Sequence, residues 1–141
     1  MAGINTGKVL IGGLVAGACY NVGDFLINTQ LMASDMQTMV NRLHLDPNVM
    51  TSMSGMVPWI VIDFLMGILV LFVYAAMRPR FGPGPKTAII AGGVLFIGVS
   101  LVIYGFTTMG IFAMDMFAKN TAYEAVNIGV GTIVGAWLYK E

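Results

Sequence analysis

Residues 57–86 read VPWIVIDFLMGILVLFVYAAMRPRFGPGPK, and this stretch decides the fold. Residues 57–77 are almost entirely apolar, with Asp63 as their one charged residue. A run of about 20 apolar residues is what an α-helix needs to cross the core of a bilayer. Three basic residues then follow among prolines and glycines, at Arg78, Arg80 and Lys86. The pattern predicts a spanning helix that ends in a short basic loop.

The composition of the whole chain favours the same class of protein. Of its 141 residues, 57% are hydrophobic and 10% are charged, whereas an ordinary soluble domain has about 25% charged residues. The net charge is zero, and the basic residues form no long run that would bind nucleic acid. The single cysteine, Cys19, excludes an intrachain disulfide. The chain is therefore expected to be an integral membrane protein.

Hydropathy predicts four spanning helices, at residues 9–31, 57–77, 87–112 and 120–139. Helices are expected because a segment in lipid must form its backbone hydrogen bonds internally. The strict alternation of apolar and polar residues that is typical of barrel strands is absent. The predicted fold is an all-α integral membrane four-helix bundle that forms a single domain. Residues 32–56 would be an outer segment, into which helix one continues to about Leu43, because Met32, Met36 and Met39 keep helical spacing.

The placement of lysine and arginine predicts the orientation of the bundle. Two basic residues, Arg42 and Lys119, fall on one side of the predicted spans, whereas five fall on the other side. Loops that carry an excess of positive charge face the cytoplasm. Both termini and the loop at residues 78–86 are therefore predicted to be cytoplasmic, in a prokaryotic-type inner membrane. The five basic residues on the cytoplasmic side are Lys8, Arg78, Arg80, Lys86 and Lys140.

The tight basic loop at residues 78–87, within a chain of four segments, resembles the loop of small uncharacterised four-helix inner-membrane proteins of bacteria. The resemblance implies a topology but no activity and no site. Glycine pairs at residues 12–13 and 92–93 each follow a lysine by a similar distance. This similarity leaves open an internal duplication, in which the bundle consists of two parallel helical hairpins.

Three acidic residues lie inside the predicted spans, and each has a basic residue near the end of its own segment. The separation is fifteen or sixteen residues in every case. At ~1.5 Å per helical residue, each carboxylate would lie roughly 22–24 Å from a charged helix end, so the three are expected to share one level in the membrane. The pairs are Asp24 with Lys8, Asp63 with Arg78, and Glu124 with Lys140.

We expect these acids to line one polar pocket in the outer half of the membrane. Small and polar residues at helical spacing flank each of them, which predicts that these helix faces point toward other helices. Carboxylates held close together need a proton, a cation or a basic partner group. A helix contact without a ligand is the alternative for Asp24. The expected ligand-binding residues are Asp24, Asp63, Glu124, Asn21, Asn127 and Tyr104.

The other two acids also have structural alternatives. Residues 121–124 read TAYE and match a capping box, in which Glu124 would begin helix four. Pro58 suits the first position of helix two, and Asp63 would then lie little more than one turn inside that helix. Glu124 would then be a helix cap and Asp63 could reach interfacial water, so neither would form a binding site.

Methionines are concentrated in the predicted outer segment. Met50, Met53 and Met56 repeat every third residue, and the one histidine, His44, is nearby. Thioethers select Cu(I), so a copper site built from these four residues is one interpretation. Flexible apolar packing against protein or lipid is the interpretation that we favour.

No residue pattern typical of catalysis occurs in the chain. Cys19 is expected at membrane depth, away from His44, and the glycines of residues 12–17 lie inside a spanning helix and not in a phosphate-binding loop. The sequence thus predicts a non-enzyme without a cofactor. We expect it to bind or translocate a cation, proton or small polar solute as a homo-oligomer, since four helices enclose little space. The alternative is an accessory or scaffold subunit of a larger membrane complex.

Overall fold

The computed structural model describes residues 3–139, without the side chains of residues 49 and 50. This part of the chain contains no strand, so the all-α prediction is confirmed. A π-helical turn at Ile27–Leu31 extends the first helix, and a 3-10 turn at Pro47–Met50 precedes the third. The α-helices are α1 (Thr6–Leu26), α2 (Ala33–Arg42), α3 (Met53–Phe81), α4 (Pro85–Thr108) and α5 (Met114–Leu138).

The four long helices form a bundle in which α1 contacts α3 and α5, while α4 contacts the same two helices. Neighbouring helices are antiparallel. The backbone of Gly13 lies against Ile68, for example, whereas Asn21, two turns later, reaches the carbonyl of Ile60. We call the end of the bundle that carries residues 82–84 the turn end, and the opposite end the α2 end.

Three helical segments within residues 3–139 are long and apolar enough to cross a membrane, and they indicate a membrane protein. These segments are Thr6–Leu31, Met53–Phe81 and Pro85–Thr108. Helix α5 has 25 residues but is not among them. Its polar residues, which include Asn120, Glu124 and Asn127, lower its mean hydropathy. The fourth predicted span therefore stays a prediction.

The first helix does not continue straight into the outer segment, as the methionine spacing had suggested. The chain changes direction at Met32, where φ is −119° and ψ is 13°. The Met32 side chain is fully buried and packs with Met116 of α5. Helix α2 is thus a separate element, because burial of Met32 turns the chain back across the end of the bundle. Lys119 Nζ donates to Asp35 Oδ1 at 2.9 Å and ties α2 to α5.

Both ends of α3 differ from the sequence prediction. The helix begins at Met53, where the Ser52 hydroxyl accepts a hydrogen bond from the Gly55 N–H at 3.3 Å, so Pro58 lies inside it. It ends only at Phe81, because Gly82 adopts a φ of +81° that breaks the helix. The loop predicted at residues 78–86 is therefore a turn of three residues. Lys140, used above to orient the chain, lies outside the described residues.

Aromatic residues close the turn end of the bundle. Tyr139 is buried, and its hydroxyl accepts a hydrogen bond from the Asn5 N–H at 3.2 Å. The Tyr74 ring meets the Tyr139 ring edge-on, with centroids 6.0 Å apart, and the Arg78 guanidinium lies 5.2 Å from the centre of the Tyr139 ring. The Tyr74 hydroxyl accepts from the Gly84 N–H at 3.2 Å. These contacts join both ends of the described chain to the α3–α4 turn.

Glycines let α1 approach both neighbouring helices closely. A β-carbon added to Gly13 would lie 2.5 Å from the Cα of Ile68 on α3, and one added to Gly12 would lie 2.7 Å from the carbonyl oxygen of Gly135 on α5. Close backbone approach replaces side-chain burial as the source of helix association in a membrane. These two contacts fix α1 lengthwise against α3 and α5, and so determine where its polar side chains lie.

Candidate functional site

Asn127 of α5 bridges two acidic side chains near the α2 end. Its side-chain amide donates to Asp24 Oδ1 on α1 at 2.5 Å and to Glu124 Oε2 on its own helix at 3.3 Å. The same nitrogen lies 3.4 Å from the backbone oxygen of Tyr20. All three side chains are partly buried. We call Asp24, Glu124 and Asn127 the acid cluster.

The sequence on both helices explains why the cluster forms here. Asn127 follows Glu124 by three residues, which places the two on one face of α5. On α1 the facing residue is Gly23, and any β-carbon at that position would overlap the Asn127 side chain. The π-helical turn Ile27–Leu31 begins three residues after Asp24, and such turns are frequent at functional sites. Gly23 therefore makes the space in which Asn127 reaches Asp24.

The acid cluster has more hydrogen-bond acceptors than donors. An amide group offers two hydrogens, whereas the Asn127 nitrogen faces three oxygen acceptors. The carboxyl groups of Asp24 and Glu124 adjoin each other, because both lie within hydrogen-bonding distance of the one Asn127 nitrogen. Among residues 3–139, no lysine or arginine forms an ion pair with either acid. Two adjoining carboxyl groups can then be held stably by one shared proton or one cation.

Asp63 lies deeper in the bundle than Asp24. A β-carbon added to Gly17 of α1 would lie 2.9 Å from the Asp63 carbonyl oxygen, so the Asp63 backbone is level with Gly17. Gly17 precedes Asp24 by seven residues, which is ~10 Å along α1. The backbones of Asp24 and Asp63 therefore do not share one level, contrary to the prediction, because the glycine contacts between α1 and α3 set the lengthwise position of these helices. The Asp63 side chain is half-buried and accepts no hydrogen bond from the described residues.

Asn21 and Tyr104 do not join the acid cluster. Asn21 donates to the backbone oxygen of Gly17 at 2.9 Å and to that of Ile60 at 3.3 Å, and it therefore holds α1 to α3. Tyr104 is 46% exposed, and its ring packs against Phe117 with centroids 5.6 Å apart. Tyr104 points away because its face of α4 lies outside the bundle.

The two structural alternatives for the acids are overturned by the helix boundaries. Helix α5 begins at Met114, so Glu124 lies ten residues inside it and does not cap its start. Helix α3 begins at Met53, so Asp63 also lies ten residues inside its helix and not one turn. Both acids therefore lie ten residues inside their helices and not near a helix start.

A second polar contact between α1 and α5 was not predicted from the sequence. Tyr20 is 3% exposed, and its hydroxyl lies 2.6 Å from Thr132 Oγ1. Because Thr132 Oγ1 itself donates to the Ile128 carbonyl at 2.6 Å, Tyr20 is the donor of the pair. The available signal was the position of Tyr20 one turn before Asp24, on the face that also carries Ala16. The contact supports the α1–α5 pairing from the turn-end side of the acid cluster.

The residues considered for copper lie at the α2 end. His44 is exposed and has a φ of +53°. Met53 and Met56, in the first turn of α3, are 73% and 36% exposed, and the Met50 side chain lies outside the described residues. Within the described part of the chain, no group of three or more histidine, cysteine or acidic residues could hold a metal ion. The copper interpretation and the favoured packing interpretation of these residues both stay predictions.

Comparison with protein-family models, with curated proteins and with solved structures gives no match to this chain. The acid cluster must therefore be interpreted from its own geometry and chemistry.

Proposed function

We propose that this chain is a small multi-pass protein of a prokaryotic-type inner membrane that binds a proton or a cation at the acid cluster and passes it across the membrane as a homo-oligomer. The observation that carries the proposal is the Asn127 side chain, which serves the carboxyl groups of Asp24 and Glu124 at once. An ionisable residue inside a membrane segment is costly and is mostly retained for function. Two such residues in contact need a positive charge between them.

The proposal requires α5 to span the membrane with α1, α3 and α4. From Lys119 to Trp137 this helix has a length of ~27 Å, close to the ~30 Å of a bilayer core. Trp137 near the turn end is 74% exposed, and Trp59 near the α2 end is 64% exposed. Tryptophan is enriched at both membrane interfaces, so these positions favour a bundle that spans from one to the other. The polar residues of α5 would be sheltered by α1.

The orientation follows from the same basic residues as before. Arg78, Arg80 and Lys86 all lie at the turn end, which we place in the cytoplasm with both termini. The acid cluster then lies in the outer half of the membrane. Oligomerisation is part of the proposal because α1 packs closely against both α3 and α5, and four helices enclose little space.

Ion flux through reconstituted protein tests this function. We expect liposomes that contain the wild type to dissipate a proton or cation gradient faster than empty liposomes, and Glu124→Gln to abolish this flux because one carboxylate is lost. Asp115→Asn is the matched control, since Asp115 is an exposed acid of α5 outside the cluster. Equal flux in wild type and Glu124→Gln would contradict the proposed role of the cluster. A wild type without flux would favour the accessory-subunit alternative.

A further inference from the structure

A groove of about 410 Å³ separates the middle parts of α3 and α4. Its lining is wholly apolar and includes Met66 and Val73 on α3 with Val94, Gly98 and Val102 on α4. Val94 and Val102 are 58% and 60% exposed, so the groove opens to the outside of the bundle. Both helices belong to the segments that are apolar enough to span a membrane. The groove therefore faces the hydrocarbon region of the bilayer.

A basic side chain stands at the turn end of this groove. Arg80 follows Val73 by seven residues and Met66 by fourteen, which places the three on one face of α3. Arg80 is exposed and lies ~10 Å beyond Val73 along the helix axis. An apolar groove that ends at an exposed arginine at the membrane surface matches the two parts of a phospholipid, since a chain fits the groove and an anionic headgroup suits the arginine.

A second copy of the chain suits this groove less well. In a membrane dimer the two-fold axis is perpendicular to the bilayer, so two α3–α4 faces in contact would bring both Arg80 side chains to the same level, where they would repel. Helix contacts in membranes also favour small residues. The α1–α3 contact has Gly13, Gly17 and Gly67, whereas the groove has one glycine among bulky side chains.

We propose that the groove between α3 and α4 binds one acyl chain of an anionic phospholipid, with the lipid phosphate held by Arg80. The bound lipid fills the apolar gap that the two helices leave between them. The acid cluster lies on α1 and α5, so this lipid site is independent of the proposed ion site and can be tested separately.

Two substitutions separate the groove from the charge. Gly98→Leu fills the groove without disturbing the bundle, because a β-carbon at Gly98 meets no atom within 4 Å. Gly93→Leu is its matched control, since Gly93 lies on the same helix, has the same open space and does not line the groove. Arg80→Gln removes the charge and leaves the groove intact.

Native mass spectrometry in mild detergent, with added phosphatidylglycerol or phosphatidylcholine of identical acyl chains, measures lipid binding by each variant. We expect the wild type and Gly93→Leu to bind phosphatidylglycerol more tightly than phosphatidylcholine, and Gly98→Leu to lose both lipids. Arg80→Gln should bind phosphatidylglycerol roughly fivefold more weakly, the effect of one charge at an anionic surface, with phosphatidylcholine unchanged. Wild-type lipid binding by Gly98→Leu, unchanged binding by Arg80→Gln, or a wild-type dimer that Gly98→Leu dissociates would each overturn the proposal.

Discussion

Helices α1 and α4 are both apolar and rich in glycine, yet most of their glycines lie in opposite surroundings, with Gly92 of α4, which packs against Thr132, as an exception. At Gly12 and Gly13 of α1, an added β-carbon would overlap a neighbouring helix, whereas at Gly93, Gly98 and Gly105 of α4 it would meet nothing within 4 Å. Helix α1 is thus held on two sides, while much of α4 faces outward. The acid cluster lies where the firmly held helix α1 meets α5. The apolar groove lies between α3 and the outward-facing side of α4.

The largest difference is expected when one methyl group is added to a closely packed glycine and to an open one. In Gly67→Ala, the new β-carbon on α3 would overlap the backbone of Gly13 and Gly17. We expect a loss of about 3 kcal/mol in the free energy of unfolding, since overpacked contacts must move apart. Gly98→Ala should change it by less than about 1 kcal/mol, in the stabilising direction, because alanine is the better helix former.

Denaturant unfolding of the two variants in detergent, followed by circular dichroism, measures both values. Similar losses of unfolding free energy in Gly67→Ala and Gly98→Ala would show that the helix contacts of α1 are no tighter than the surroundings of the α4 glycines.

A smaller effect is expected from the hydroxyl contact between α1 and α5. Tyr20→Phe keeps the buried ring but removes the hydrogen bond to Thr132, while Thr132 retains its bond to the Ile128 carbonyl. We expect a loss of about 1 kcal/mol in the free energy of unfolding. Tyr104→Phe on the exposed face of α4 is the control and should leave stability unchanged. An equal effect of the two substitutions in the same unfolding assay would contradict a special role for the α1–α5 contact.

Apolar length was sufficient to predict the long helices from the sequence, but not where they begin. Residues 53–56 and 114–119 contain polar and charged residues and were therefore expected outside the helices. They are helical because α3 and α5 extend beyond their apolar parts. For the same reason the capping-box interpretation of Glu124 failed, since a capping sequence can occur within a helix that has already begun. The break at Met32 depends on contact with Met116, which lies far away in the sequence.

The candidate site was predictable in part. Helical spacing placed Asp24 and Asn127 on inward faces, and the structure brings these two side chains together. Their depth relative to Asp63 could not be predicted, because the lengthwise position of one helix against another depends on which glycine meets which backbone segment. A one-turn shift between α1 and α3 would alter the depth of every polar residue by ~5 Å while leaving the hydropathy pattern unchanged.

The most direct test of the acid cluster is thermal unfolding of Asp24→Asn in detergent over a series of cation concentrations and pH values. The substitution keeps the size of the side chain and an oxygen that can accept from Asn127, and it removes a charge whose insertion at the bilayer centre costs at least ~2.5 kcal/mol. We predict an unfolding temperature equal to or above that of the wild type without added cations. We also predict that cations or protons stabilise the wild type and do not stabilise Asp24→Asn.

Asp115→Asn is the control and should respond to cations and pH as the wild type does. An Asp24→Asn protein that is strongly destabilised, or one that keeps the full wild-type response, would contradict a charge-binding role for this site.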